Sequence, residues 1–170
     1  MTSTTPSAAR CVRRAWSFAN GLRAEYEQHR DQFKDTVVWN IEAGLKLTGP
    51  QLGAAEVKRT ALYQRVRAFM ERYEFFILPV SQVLPFDVRQ RYVTEIAGVP
   101  MATYIDWMKS CCYITTIGHP ALSVPGAFSE SNLPIGLQIV GRHQADWSVL
   151  QLGQAFEQAT GLWQRRPSIV

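Results

Sequence analysis

The segments that decide the fold are Gly118-His-Pro-Ala-Leu-Ser-Val-Pro125 and Leu133-Pro-Ile-Gly-Leu-Gln-Ile-Val-Gly141, two apolar runs separated by a short polar stretch. Short, continuous apolar runs bounded by turn residues are typical of buried strands, so residues 121–128 and 135–140 are predicted to be strands. The polar residues 129–134 between them are typical of a turn. We therefore expect the two strands to form a hairpin or to be neighbours in one sheet.

A third strand and two helices are predicted around these runs. Residues 75–80, Phe-Phe-Ile-Leu-Pro-Val, are aromatic and branched, and the run is too short for a stable helix, which favours a strand. Residues 81–100 contain two prolines and a glycine and are typical of a long loop. Helical spacing returns over residues 104–115, and again after Asp146, which we expect to cap a last helix that ends at Gly161.

The first part of the chain is predicted to be helical. Apolar residues recur at steps of three and four over residues 15–33, which is the spacing of one helix face, and a shorter helix follows over 37–47. Thr48-Gly-Pro-Gln51 has the form of a capping box and predicts the start of a long helix. We expect residues 1–14 to be a flexible tail and residues 15–170 to form one incomplete domain.

Composition excludes several classes of protein. The chain has 170 residues, 18 Lys and Arg against 14 Asp and Glu, and 46% hydrophobic residues, which exclude a disordered or collagen-like chain. No apolar run reaches the ~18 residues of a membrane span, and the basic residues are scattered, so we expect no membrane and no nucleic-acid partner. Three cysteines, two of them adjacent, favour free thiols and a cytoplasmic location. The polar and then basic start leaves a transit peptide as an alternative to a ragged N-terminus.

The three predicted strands are apolar on both faces. Strands of this kind normally lie inside a larger sheet that is covered on both sides. Unpaired edges as apolar as these favour association with other strands. We therefore expect the sequence to be part of a larger fold.

The sequence lacks the common motifs of catalysis and metal binding. Gly126-Ala-Phe-Ser-Glu130 approaches a nucleophile elbow but lacks its second glycine, so Ser129 is predicted to be a turn residue. Ser123 lies in an apolar strand, where a hydroxyl bonded to the backbone is the simpler interpretation. There is no phosphate-binding glycine loop, and the three histidines lack metal-ligand spacing. From the residues alone we expect no metal, no cofactor and no identifiable catalytic set.

Three segments taken together match a known pattern. Tyr104-Ile-Asp-Trp-Met108 and the two runs quoted first lie in the order and at the spacing of the C-terminal part of amidase signature hydrolases, which the sequence resembles. Upstream, Phe76-Ile-Leu-Pro79 is similar to the strand that these enzymes carry before a long loop, and Glu42-Ala-Gly-Leu-Lys-Leu-Thr48 resembles one of their helix ends. The resemblance covers roughly residues 15–161. It implies the C-terminal part of an α/β/α domain with a large mixed sheet, here a helix-rich α/β chain with about three strands.

The resemblance implies hydrolysis of an amide C–N bond in the intact enzyme. The family uses a Lys, a Ser in a cis peptide that relays the proton, and a nucleophilic Ser, carried by a Gly-Gly-Ser-Ser-Gly-Gly-like run that this sequence lacks. We therefore assign no catalytic residue and expect the chain alone to be inactive. The expected substrate contacts are Tyr104 and Trp107, as an apolar wall with polar handles, and Asp106, as a charge.

Three arrangements remain open. In the first arrangement the chain is a fragment that completes the sheet and lines the cleft that binds a small-molecule amide. Alternatively, it is a non-catalytic binding subunit that associates with a separately encoded N-terminal catalytic segment, or with further copies of itself. In the third arrangement it is a scaffold or small-molecule binder, which a monodisperse monomer would favour because the first arrangement leaves apolar surface exposed.

Overall fold

The structure is a computed structural model that describes residues 6–166, and the contacts between residues divide the chain into two compact units, Met1–Gln64 and Arg65–Val170. The described residues form six helices and five strands. In chain order they are α1 (Pro6–Gly21), α2 (Arg23–His29), α3 (Asp35–Leu45), α4 (Gly49–Arg72), β1 (Phe75–Pro79), β2 (Glu95–Ile96), β3 (Val99–Pro100), α5 (Lys109–Ile117), β4 (Ala121–Phe128), β5 (Pro134–Gly141) and α6 (Asp146–Thr160).

The first unit is helical, as expected, but its first helix starts earlier and ends sooner than the spacing predicts. Helix α1 begins at Pro6, so residues 6–14 of the predicted tail are helical, while residues 1–5 lie outside the described residues. The single helix predicted over residues 15–33 is wrong: α1 ends at Gly21, and α2 begins at Arg23. Glycine has a low helix propensity, and here it ends the helix even though the apolar stripe continues past it. The domain boundary at residue 15 stays a prediction.

Close helix contact and a capping box shape the rest of this unit. A Cβ atom on Gly44 of α3 would overlap the carbonyl oxygen of Ala15 in α1, so only glycine permits this approach of the two backbones. The capping box is confirmed: the Thr48 N–H donates to Gln51 Oε1 at 2.9 Å, and the Gln51 N–H donates to Thr48 Oγ1 at 3.4 Å. These bonds satisfy N–H groups that the start of α4 would otherwise leave without partners.

The second unit contains a three-stranded antiparallel sheet in the order β1-β5-β4. Residues Ile77 of β1 and Leu122 of β4 both lie opposite Ile139 of β5, the central strand. The three predicted strands are confirmed, and β4 and β5 pair with each other as expected. A β-bulge between Pro125 and Ala127 interrupts their register. The fold is mixed α/β, as the sequence predicts.

The helices and the loop of this unit agree with the sequence except in three details. The predicted loop holds the small β2–β3 hairpin, whose turn places Ala97 at φ 50° and Gly98 at φ 78°, values typical of two-residue hairpins. The helix predicted from residue 104 begins as a 3-10 turn, Asp106–Met108, before α5. Asp146 is the first residue of α6 and not its cap, which is Ala145. Gly161 ends α6 at φ 63°, as predicted.

Helix α6 covers one face of the sheet. Val124, Ile139 and Val149 form the centre of this core, with exposed fractions of 2%, 1% and 3%. The helix lies close because Gly141 faces it: a Cβ atom there would overlap Val149 Cγ2. Side chains alternate along a strand, so Ser123 and Gln138, which lie opposite each other, belong to the other face. Among the residues described, no helix combines the length and the apolar character that crossing a membrane requires.

Candidate substrate groove

A groove of about 760 Å³ lies in the second unit, at the end of the sheet where the bulge interrupts β4. Most of its lining is apolar, and among the described residues that line it none is charged. The lining residues are Val80, Ser81, Val83, Leu84, Pro85, Phe86, Trp107, Ser123, Val124, Pro125, Pro134, Ile135 and Gly136. We call this hollow the substrate groove.

The loop that follows β1 forms one wall of the substrate groove. The Val80 N–H donates to the carbonyl oxygen of Gly136 at 3.1 Å, which extends the pairing of β1 with β5 past the end of the strand. The thiol of Cys111 donates to the Val80 carbonyl oxygen at 2.7 Å, and the Ser110 N–H donates to Gln82 Oε1 at 3.0 Å. The first turn of α5 therefore holds this loop against the sheet.

Trp107 also lines the groove and lies in the 3-10 turn before α5. Its ring meets the ring of Phe86 edge to face, with centroids 5.5 Å apart and planes at 89°. Its indole Nε1 is buried and has no hydrogen-bond partner in the part of the chain that the structure describes. An indole N–H is a donor that normally finds an acceptor when it is buried.

The other two predicted contacts, Tyr104 and Asp106, are not among the residues that line the groove. The ring of Tyr104 packs against Tyr92, with centroids 6.2 Å apart. The Asp106 carboxylate accepts the Thr103 N–H at 2.8 Å and pairs with Lys109 Nζ at 3.0 Å. Burial disfavours its charge, but the hydrogen bonds from Lys109 and Thr103 outweigh burial and lower the pKa of Asp106. These contacts hold the turn that carries Trp107.

Strand β5 leaves room for the groove because of Gly136. A Cβ atom on this residue would fall 3.0 Å from Val80 Cγ2 and 3.1 Å from Ser123 Oγ, both in the groove wall. Ser123, for which the sequence favours a purely structural role, therefore places its hydroxyl beside the groove. It is one of the few polar side chains in the lining.

A second hollow of about 490 Å³ lies on the same face of the sheet and includes Gln138, His119 and His143. The two imidazole rings lie 6.0 Å apart, and their Nδ1 atoms are each 3.2 Å from a backbone carbonyl, of Ile117 and Gly118 respectively. Burial lowers the pKa of His119, and the charge of His143 adds to this. Within residues 6–166 no three His, Cys, Asp or Glu side chains gather as a metal site would need.

Most of the groove is not predicted by the sequence. Trp107 was an expected contact, but Phe86 and Gly136 were not, because they belong to segments interpreted only as loop and strand. One signal was available: Val83-Leu-Pro-Phe86 is an apolar run inside a predicted loop, where exposed polar residues are usual. Apolar side chains in a loop indicate a surface that binds a ligand or another part of a protein.

Comparison with known proteins identifies the family. The family model named Amidase matches residues 7–150. An acylamidase of Rhodococcus erythropolis is 26% identical over 176 residues, which cover 99% of this chain and 37% of the relative. A glutamyl-tRNA(Gln) amidotransferase component of Moorella thermoacetica is 35% identical over 111 residues, which cover 65% of this chain and 21% of that protein.

Solved structures agree with this result. A bacterial aryl acylamidase of the amidase signature family superposes with a TM-score of 0.79 at 25% identity, over 94% of this chain and 34% of the other. A 6-aminohexanoate cyclic dimer hydrolase, at 20% identity and a TM-score of 0.74, shares the fold. The chain thus spans 37% and 21% of the lengths of the two curated relatives named above. Since the family match covers most of its residues, this chain belongs to the amidase signature family.

Proposed function

We propose that this chain forms part of the substrate cleft of an amide-hydrolysing enzyme. The observation that carries the proposal is the substrate groove, whose wall is built from Trp107, Phe86 and the loop after β1. A concave, mostly apolar site with a few polar groups is the usual form of a small-molecule binding site. In this role the chain binds the apolar part of the amide and keeps water away from it.

The reacting groups come from other polypeptide in this proposal. The sequence holds no Gly/Ser-rich run like the one that carries the relay Ser and the nucleophilic Ser in the family. A nucleophilic serine needs a neighbouring base and donors for the oxyanion, and these must lie within hydrogen-bond reach of one another. We therefore assign no catalytic role to residues 1–170 and expect the chain by itself to hydrolyse no amide.

The groove favours neutral, apolar amides as substrates. None of the described residues that line it is charged, so an ionised group on the ligand would lose water without gaining a partner. Burying an unpaired charge is costly enough to exclude such ligands. A neutral acylamide fits this lining better than glutamine, which carries both an ammonium group and a carboxylate.

Of the predicted substrate contacts, we propose that Trp107 touches the ligand directly. Tyr104 and Asp106 do not contact the ligand in this proposal but position Trp107. Asp106 does so by binding Thr103 and Lys109 at the two ends of the 3-10 segment that carries Trp107. In the same proposal the protein is cytoplasmic, since Cys111 and Cys112 lie next to each other in the thiol form and not in a disulfide.

A chimeric enzyme, called the graft below, tests this proposal. Residues 1–170 replace the matching segment of the Rhodococcus erythropolis acylamidase, and hydrolysis of acetanilide is measured for the graft and for the chain alone. We expect the graft to release aniline and the chain alone to release none. The matched control is a graft carrying Trp107→Ala, which should raise KM. Turnover by the chain alone that is lost in Ser123→Ala would overturn the proposal.

A second candidate function is a binding subunit for a separately encoded catalytic segment. The observation that favours it is the sheet order β1-β5-β4, which leaves β1 and β4 as edges within the described strands, and Ile77 of β1 is 52% exposed. Exposed apolar edges pair readily with other strands. Co-purification of the chain with the N-terminal part of the acylamidase would support this function, and separate elution of two folded chains would contradict it.

A further inference from the structure

We propose that the Trp107 indole N–H donates a hydrogen bond to a carbonyl oxygen of the molecule in the substrate groove. The inference rests on the proposed function and goes further, because it names the group that the ligand must carry. The ligand class is a neutral aryl or alkyl compound with one carbonyl acceptor placed against Trp107.

The indole nitrogen of Trp107 is an unsatisfied donor. It is buried and has no partner among the described residues, although the backbone of its own turn and of α5 lies close by in sequence. Leaving a buried donor unpaired destabilises a fold, because the donor has lost its water without gaining another acceptor. Such a group is expected where a ligand supplies the missing acceptor.

The ring of Trp107 is part of the groove wall, and its edge-to-face contact with Phe86 at 5.5 Å supports one side of the ring. Because Nε1 is buried, the proposal includes a rotation of the Trp107 side chain that turns its N–H toward a ligand seated against that wall. Around it the lining is apolar apart from the hydroxyls of Ser81 and Ser123, so a carbonyl oxygen in the groove has few other side-chain donors.

A hydrogen bond from the Trp107 indole makes the groove selective for ligands that carry an acceptor. A neutral hydrogen bond that replaces one to water contributes modestly, which corresponds to about a 3- to 10-fold change in affinity. A ligand without an acceptor leaves the indole N–H unpaired and gains only from apolar contact. The groove should therefore distinguish a carbonyl compound from a hydrocarbon of the same shape, and the distinction should depend on the indole nitrogen.

The test uses the full chain and two probes of matched shape. Phenylacetone carries a carbonyl group, whereas in isobutylbenzene a carbon that bears a methyl group takes the place of that carbonyl. In 15N-labelled chain the Trp107 indole resonance, assigned by its loss in Trp107→Phe, is followed during titration. We expect phenylacetone to move this resonance downfield and isobutylbenzene to leave its hydrogen-bond shift unchanged. Trp107→Phe should weaken phenylacetone binding about 3- to 10-fold and change isobutylbenzene binding less than about 2-fold.

The control variant is Trp147→Phe, since Trp147 lies on α6, is 72% exposed and is outside the groove lining. It should alter neither affinity. Equal weakening of both probes by Trp107→Phe, or an indole resonance that phenylacetone does not move, overturns this inference and leaves the proposed function standing. If neither probe binds, the apolar groove is not a ligand site, and both proposals fail. The resonance shift is measured on the unaltered chain, and if Trp107→Phe does not fold, the Trp107 resonance is assigned by through-bond experiments on the unaltered chain.

Discussion

The two faces of the small sheet differ more than their sequences suggest. On the face covered by α6, Val124, Ile139 and Val149 are almost fully buried, and Gly141 lets the helix approach closely. On the other face lie the substrate groove and two buried polar atoms without partners in the described part, Trp107 Nε1 and Gln138 Oε1.

Because of this difference, we expect residues of one face to determine stability and residues of the other face to determine binding. Well-packed apolar contacts of the kind found on the α6 face are the main favourable contribution to folding. The groove face keeps concave space and unsatisfied polar atoms, which destabilise the fold unless a ligand or another part of the protein covers them. Substitutions on the two faces should therefore have opposite profiles: on the α6 face they lower stability, and on the groove face they change binding.

The largest effect is expected for Ile139→Ala. Ile139 is 1% exposed at the centre of the sheet, and removal of its side chain leaves a cavity that neighbouring strands cannot fill. We expect a loss of about 2–5 kcal/mol in the free energy of unfolding, measured in urea. The matched control is Ile135→Ala at the groove end of the same strand, which should lose less than half as much. Equal losses would contradict the comparison.

A smaller effect is expected for an added methyl group on β5. In Gly141→Ala the new Cβ atom meets Val149 Cγ2, and a β-branched side chain in a core has little freedom to move away. We expect a loss of about 1–3 kcal/mol in the free energy of unfolding. Gly136→Ala is the matched variant on the groove face, where the new Cβ atom lies 3.0 Å from Val80 Cγ2 and 3.1 Å from Ser123 Oγ, so that shifts of a few tenths of an ångström relieve the contact. It should lose less than about 1 kcal/mol, and its main effect should be weaker binding of phenylacetone in the narrowed groove.

Phe86→Ala tests the groove face directly. Phe86 is 36% exposed, so its removal loses less burial than removal of a core side chain such as Ile139, and the edge-to-face pair with Trp107 contributes only about 0.5–1.5 kcal/mol. We expect a smaller drop in Tm than for Ile139→Ala and a several-fold rise in the Kd of phenylacetone. A large drop in Tm with unchanged Kd would show that this wall belongs to the core and not to a binding site.

The smallest effect is a pH dependence from the second hollow. Burial lowers the pKa of His119 below its ordinary value of 6.5, so the unfolded chain binds this proton more readily than the folded chain. The associated stability is therefore complete above about pH 6.5 and is lost as the pH falls from there through the lower folded pKa. His119→Asn should flatten the unfolding free energy across this range relative to the unaltered chain. Identical pH profiles for the variant and the unaltered chain would refute the assignment.

Local signals in the sequence determined much of the fold. The capping box at Thr48 and Gln51, the glycine that ends α6 and the three strands were predicted correctly, because each depends on a few adjacent residues and their backbone preferences. The family was also recognisable, since Gly118–Pro125 and Leu133–Gly141 keep their order and spacing. The end of α1 at Gly21 was not predicted, because the low helix propensity of one glycine competes with a long stripe of apolar residues that favours a continuous helix.

Only the tertiary structure determined the groove. Its wall joins Val80–Phe86, Trp107, Ser123 and Gly136, which are far apart in the sequence and carry no common motif. Which of Tyr104, Asp106 and Trp107 lines the groove depended on the 3-10 turn that carries Asp106 and Trp107, because a change of helix type rotates each side chain to a new direction. Periodicity describes which face of an element is apolar, whereas concave space depends on how separate elements meet, and that follows from packing over the whole unit.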